Sequence, residues 1–136
     1  MTILSVAALL QRYGVRLTGP RRAVLEVLLQ ATYALSGAEI EQHLTLLLDR
    51  ITLYRTLKTF EEKGLIHRVI DHSDTIRYAV CPGSSIREHV HFKCTTCQHI
   101  YCLGQVPVPT ITLPSEYRVE RGDYLLSGIC ERCHPS

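Results

Sequence analysis

The chain has 136 residues, with 15 Lys/Arg against 13 Asp/Glu and a formal net charge of +2. That length suits one ordinary domain or two small ones, and a small half needs a metal or a partner to supplement its core. A composition that is 46% hydrophobic and 21% charged is that of a soluble globular protein. No apolar run reaches the length of a spanning helix, so no membrane partner is expected.

Met1 to Leu10 lacks a basic segment and runs on a helical period into Gln11, Arg12 and Tyr13, so it is expected to fold as a helix and not to act as a secretion signal. Six cysteines without an export signal point to a reducing, cytoplasmic setting. Charge is uneven: residues 1–68 hold nine basic and six acidic residues. A solvated surface explains such an excess as simply as nucleic-acid binding does, so position along the elements has to decide.

Leu4, Ala7, Ala8 and Leu10 predict a short first helix stopping at Gly14, a helix-terminating residue. Thr18-Gly19-Pro20 reads as the start of a second helix, with Ala23, Val24, Val27, Leu28 and Ala31 on its apolar face. Ser36-Gly37-Ala38-Glu39 fits a capping box opening a third helix, with Ile40, Leu44 and Leu47 inward. Asp49 caps a fourth, which carries Leu53, Leu57 and Phe60 inward and ends at Gly64. Its other face shows Arg50, Thr52, Arg55, Lys58 and Thr59. A helix, a short turn and a second helix with Thr, Tyr and Arg in its first half match a recognition helix entering a major groove.

The period then changes. Leu65–Ile70 and Thr75–Val80 are strand-like, joined by a loop at Asp71–Asp74, and helices followed by a hairpin make a winged helix. Pro82-Gly83-Ser84-Ser85 reads as a linker. Beyond it, Val90–Lys93 and His99–Leu103 read as strands around Cys94-Thr95-Thr96-Cys97. Pro107, Pro109 and Pro114 forbid a long helix there. Tyr117–Ile129 alternates like a strand leading to Cys130-Glu131-Arg132-Cys133. Two Cys-x-x-Cys pairs supply Cys94, Cys97, Cys130 and Cys133 as a closed tetrahedral set for a structural Zn²⁺. Cys102 reads as a buried thiol facing the sheet.

Four segments together resemble the ferric uptake regulator family: Gly14-Val15-Arg16-Leu17-Thr18-Gly19-Pro20-Arg21-Arg22, Ile51-Thr52-Leu53-Tyr54-Arg55-Thr56-Leu57, His89-Val90-His91-Phe92-Lys93-Cys94-Thr95-Thr96-Cys97, and Cys130-Glu131-Arg132-Cys133. The resemblance implies an α+β protein: a winged-helix DNA-binding domain over residues 1–81, a linker at 82–86, and a small α/β metal-binding dimerisation domain with a zinc knuckle over 87–136. It implies a homodimeric, metal-dependent repressor acting on a double-stranded DNA operator. The zinc-uptake branch places its sensory ligands at positions that fall here on His67, Cys81, His89 and His91. One thiolate with three imidazoles suits Zn²⁺ better than Fe²⁺ or Mn²⁺, although another divalent metal is the alternative. Two further ligand positions used in iron and peroxide branches fall near Pro109 and Gly122, which offer no side-chain donor. His67 and Cys81 belong to the wing and linker and the other two ligands to the second domain, so a metal bound by all four would fix the domain arrangement of a dimer.

On the same resemblance, Arg16 and Arg21 meet phosphates or the minor groove, and Thr52, Tyr54 and Arg55 reach the major groove or its backbone. Each candidate also has a plainer reading: Tyr54 as a core residue, Cys81 as a small buried hydrophobe, His67 as a partly exposed wing residue. An iron-, manganese- or peroxide-responsive regulator, a cysteine-based redox switch and a protein-binding zinc ribbon are the competing functions. No nucleophile–base–orienter set is visible, so an enzyme is not expected.

Overall fold

The computed structural model describes residues 5–70, 73–80, 90–103, 106–119 and 124–134. The chain divides into two compact units, Met1–Cys81 and Pro82–Ser136.

The first unit opens with α1 (Val6–Arg12) and α2 (Gly19–Gln30). Ser5 Oγ accepts from the Ala8 N–H and caps α1. Gly14, at φ +71°, ends it: the Gly14 N–H reaches the Gln11 carbonyl and the Val15 N–H the Leu10 carbonyl. This paired closure needs a left-handed residue, which glycine adopts at little cost. Thr18 caps α2 through the Arg21 N–H, and Pro20 sits in the first turn, where no N–H is needed.

A two-residue strand, β1 (Leu35–Ser36), leads directly into α3 (Gly37–His43). Ser36 and Glu39 form the expected capping box: the Glu39 N–H donates to Ser36 Oγ at 3.2 Å and the Ser36 N–H to Glu39 Oε1 at 2.9 Å. The helix is shorter than its leucine spacing predicts. Leu44 already has ψ 133°, and Leu47, expected inside, is 98% exposed. The reason lies in the next helix, α4 (Arg50–Glu62), capped by Asp49 Oδ1 on the Thr52 N–H at 2.7 Å. Leu48, just before that cap, packs into the core together with Leu53. This staple sets the approach angle and turns Leu47 outward.

The core of this unit is built from Leu10, Val24, Leu25, Ile40, Leu53 and Phe60, none more than 1% exposed. Thr56, also buried, satisfies its hydroxyl on the Thr52 carbonyl at 2.8 Å. Gly64 (φ +78°) ends α4 in the same way as Gly14 ends α1. The wing follows as β2 (His67–Ile70) and β3 (Ile76–Ala79), antiparallel with His67 opposite Ala79. The sheet order is β1-β3-β2, so the short strand before α3 is the third member. Helices closed by this small sheet make a winged helix.

The second unit is a three-stranded sheet, β4 (Val90–Cys94), β5 (Ile100–Leu103) and β6 (Tyr124–Gly128), in the order β5-β4-β6. β4 and β5 form an antiparallel hairpin, and β6 adds in parallel. The strand foreseen from Tyr117 is regular only from Tyr124 among the described residues, and residues 106–119 are irregular with a turn at Pro114–Tyr117. Three prolines remove ladder donors there. The described part of this unit contains strands and turns and no helix.

Candidate metal centre and nucleic-acid interface

The first cysteine pair occupies the β4–β5 turn. The Gln98 N–H bonds the Cys94 carbonyl at 2.9 Å and the Cys94 N–H the His99 carbonyl at 3.0 Å, with Gln98 in the left-handed region at φ 67°. The parallel register sets Gly128 beside Cys94. The Gly128 carbonyl then accepts from the Thr95 N–H at 2.7 Å and from the Thr95 hydroxyl at 3.1 Å. This closes the second pair onto the first.

The four sulfurs fit a zinc ion. All lie within 4.8 Å of one another, and Cys97 Sγ and Cys130 Sγ are 3.8 Å apart. Zn–S bonds of about 2.3 Å in a tetrahedron give sulfur–sulfur edges of about 3.8 Å. The N–H groups of Thr96, Cys97 and Cys130 each point at Cys94 Sγ at 3.4 Å. Led by the Cys97 N–H, and against burial, these donors draw the Cys94 thiol down to about 5. The Tyr101 hydroxyl, 3.6 Å from Cys130 Sγ, leads the lowering of Cys130, and that same donation raises Tyr101 above the usual phenol range. Cys133 is pushed up to about 12, first by its hydrogen bond with Cys130 and then by burial. Cys94 and Cys130 are thus drawn toward the thiolate and Cys133 away from it, while a bound divalent cation would favour the thiolate at each ligand. Cys94, Cys97, Cys130 and Cys133 are all free thiols.

The expected sensory residues are described only in part. Cys81 and His89 lie outside the described residues. His67 is half-buried at the start of β2. His91 is half-buried on β4, directly opposite Cys102 on β5, and their ligating atoms lie within 4.8 Å of each other. Cys102 differs from its expected role as a buried thiol: it is half-buried, and its sulfur is held in a disulfide. Among the described residues β5 is an edge strand paired only with β4, which leaves that side chain less covered.

On the first unit, α4 turns Leu53, Thr56, Leu57 and Phe60 inward and Arg50, Ile51, Tyr54, Arg55 and Lys58 outward. Tyr54 is 48% exposed and so is not a core residue. Arg55 is exposed, while Thr52 is half-buried beside the Asp49 cap. Arg50 is held 3.6 Å from Glu41. Arg16, before α2, and Arg21, in its first turn, meet where the Arg21 guanidinium donates to the Arg16 carbonyl at 3.0 Å.

Two contacts here carry no sequence pattern. The hydroxyl end of the Tyr54 ring abuts buried Gly37, leaving no room for a β-carbon. Arg77 on β3 donates to Glu39 Oε1 at 2.7 Å, the oxygen that also closes the capping box. Burial works against ionisation of Glu39, but the Ser36 N–H and the Arg77 charge outweigh it and hold the carboxyl below its ordinary value. One signal was available in retrospect: a glycine at the first position of a helix, where a larger residue would serve, implies something packed against it.

A family model described as the ferric uptake regulator family matches residues 12–113. The ferric uptake regulation proteins of Brucella abortus and Brucella suis are 42% identical over 62 residues, and the chain spans 44% of their length. In fold, the chain is similar to the Vibrio cholerae ferric uptake regulator (TM-score 0.62, 20% identity, covering 91% of this chain and 98% of that one). It is similar to the Pseudomonas aeruginosa ferric uptake regulator with manganese (0.64, 16%, 94% and 99%). It is also similar to a zinc-bound manganese uptake regulator (0.65, 19%, 93% and 99%). With the family model spanning most of its length, the chain belongs to the ferric uptake regulator family.

Proposed function

We propose that the chain is a metal-dependent DNA-binding transcriptional repressor, zinc-responsive, that works as a cytoplasmic homodimer. The observation that carries the DNA part is α4: a capped helix start with Tyr54, Arg55 and Lys58 outward on one stripe. Arg16 and Arg21 add positive charge at the start of α2. The dimer is supported by apolar surface on the second unit, where Leu126 on edge strand β6 is 55% exposed and Ile111, Tyr117 and Val119 are also exposed. A small unit with so much uncovered apolar side chain is completed by a second copy.

The knuckle cysteines hold a permanent zinc in this reading, and the sensory ligands are His67, Cys81, His89 and His91. Zinc supplies a tetrahedral, redox-inert bridge for such a sulfur–nitrogen set. The residues on this chain do the rest. Ligands from both units, once held together, favour one arrangement, and DNA affinity changes only by the differential affinity of the ligands for metal in that arrangement. Imidazole protonation competes with metal, so the response weakens at acid pH. Cys81 ligates only as a thiolate, which calls for reduced protein. An iron- or manganese-responsive regulator is the second reading, favoured by the names of the Brucella and Pseudomonas relatives.

The test is an anisotropy titration of reduced protein against a labelled duplex pool at buffered free zinc, iron(II) and manganese(II). Affinity that rises with zinc at the lowest free-metal levels supports the proposal. A rise only with iron or manganese transfers it to the second reading, and no binding at any metal level contradicts both.

A further inference from the structure

Ile51 breaks the chemistry of its own helix face. It lies one turn before Tyr54 and Arg55 and two turns before Lys58, on the outward stripe of α4, and is 66% exposed. Its neighbours on that stripe are polar or cationic, whereas Ile51 is β-branched, apolar and stiff at χ1. Leu47, turned outward by the Leu48–Leu53 staple, adds a second apolar group just before the cap. Single exposed leucines need no explanation. These two residues differ in location: they flank the start of the helix that, in a helix-turn-helix, meets base edges with its first residues.

Charge identifies the occupant. Exposed Arg50, Arg55 and Lys58 share α4 with Ile51, and the positive end of the helix dipole lies beside it. An acidic duplex suits that surround. Within a major groove, the apolar group on a base edge is the thymine C5-methyl.

We infer that Ile51, seconded by Leu47, is a specificity-determining apolar reader of thymine methyl groups in the major groove. The inference rests on the DNA-binding reading above. Tyr54 and Arg55 supply polar and phosphate contacts, and Ile51 makes the preference for T over C at one or two positions per half-site. β-branching contributes by presenting a fixed surface that loses little rotamer freedom on contact.

The experiment begins by selecting duplexes from a random library with full-length, metal-loaded, reduced protein. Each thymine in the enriched sequence is then replaced singly by uracil, which removes only the methyl. Wild type, Ile51→Ala and Leu47→Ala are compared by anisotropy, with circular dichroism checking that each variant is folded. Wild type is expected to lose roughly four-fold in affinity at one or two positions, the effect of burying one methyl-sized group. In Ile51→Ala, thymine and uracil duplexes should bind alike at those positions. Uracil sensitivity that is absent, or unchanged in both variants, overturns the inference while leaving DNA binding intact. Failure to enrich any duplex instead overturns the DNA-binding reading itself.

Discussion

Tyr54 on α4 is packed against Gly37 at the start of α3 so closely that a β-carbon on Gly37 would stand 2.7 Å from Tyr54 Cζ and 2.9 Å from Cε1. The two helices of the helix-turn-helix are thereby keyed to each other through a residue of the proposed DNA-contacting face. Gly37→Ala must push the tip of the Tyr54 ring aside, because the hydroxyl lies nearest the added β-carbon and the ring carbons behind it move with it. Overpacking of this kind costs about 1–3 kcal/mol. The expected result is a modest loss in thermal stability with a larger loss in DNA affinity. Adding Tyr54→Phe removes the hydroxyl and should recover part of the stability but not the affinity. Urea melts beside anisotropy titrations of wild type, the two single variants and the double variant separate these effects.

Glu39 offers a pH test. Its ordinary value is 4.5, and in the folded chain it is held lower. A depressed folded value means the ion form contributes stability above the unfolded pKa, and that this contribution is lost as pH falls through the folded one. Glu39→Gln can keep the capping box but loses the charge facing Arg77, which has its Nε buried without a partner among the described residues. Wild type should exceed Glu39→Gln by about 1 kcal/mol near neutrality. The gap should close as pH falls below the ordinary carboxylate range. A gap that is constant from neutrality to pH 3 would falsify the ion pair as its origin.

Loss of the knuckle metal should act on one unit. Cys94→Ser replaces the sulfur that receives three backbone N–H groups. The variant, or wild type stripped by a strong chelator, is expected to lose its tightly held zinc and the exchange protection of β4, β5 and β6. The amides of α2 and α4, with a core of their own, should stay protected. Hydrogen exchange read by mass spectrometry checks both halves together.

Leu126 tests the dimer. It is 55% exposed on edge strand β6. Leu126→Asp places a charge on that apolar surface and should shift sedimentation from dimer toward monomer at micromolar protein, without loss of the knuckle zinc.

Much of this fold was legible because its signals are local. Ser36 with Glu39, Thr18 with Pro20, and the glycines at 14 and 64 announce helix ends by chemistry that acts within a few residues. The cysteine spacing likewise announces that Cys94, Cys97, Cys130 and Cys133 come together in one cluster. Signals failed where partners are distant or patterns coincide. Leu47 shares the leucine spacing of α3 but lies past its end, since the Asp49 cap and the Leu48 staple decide the turn. β1 is two residues long, too short for alternation to be read, and it exists only because β3 pairs with it. The Glu39–Arg77 pair spans 38 residues, and the parallel β4–β6 pairing joins segments that are also remote in sequence, such as Val90 with Tyr124. The Tyr54–Gly37 contact needs the turn between two helices to be known first.

The central claim is a sensory metal site distinct from the knuckle. The most direct measurement is DNA affinity as a function of buffered free zinc for reduced wild type and Cys81→Ala, with bound zinc counted in the same samples. The account predicts that wild-type affinity rises with zinc. It predicts that Cys81→Ala keeps its knuckle zinc, loses the second ion and shows no rise. A Cys81→Ala protein that remains fully zinc-responsive would contradict it.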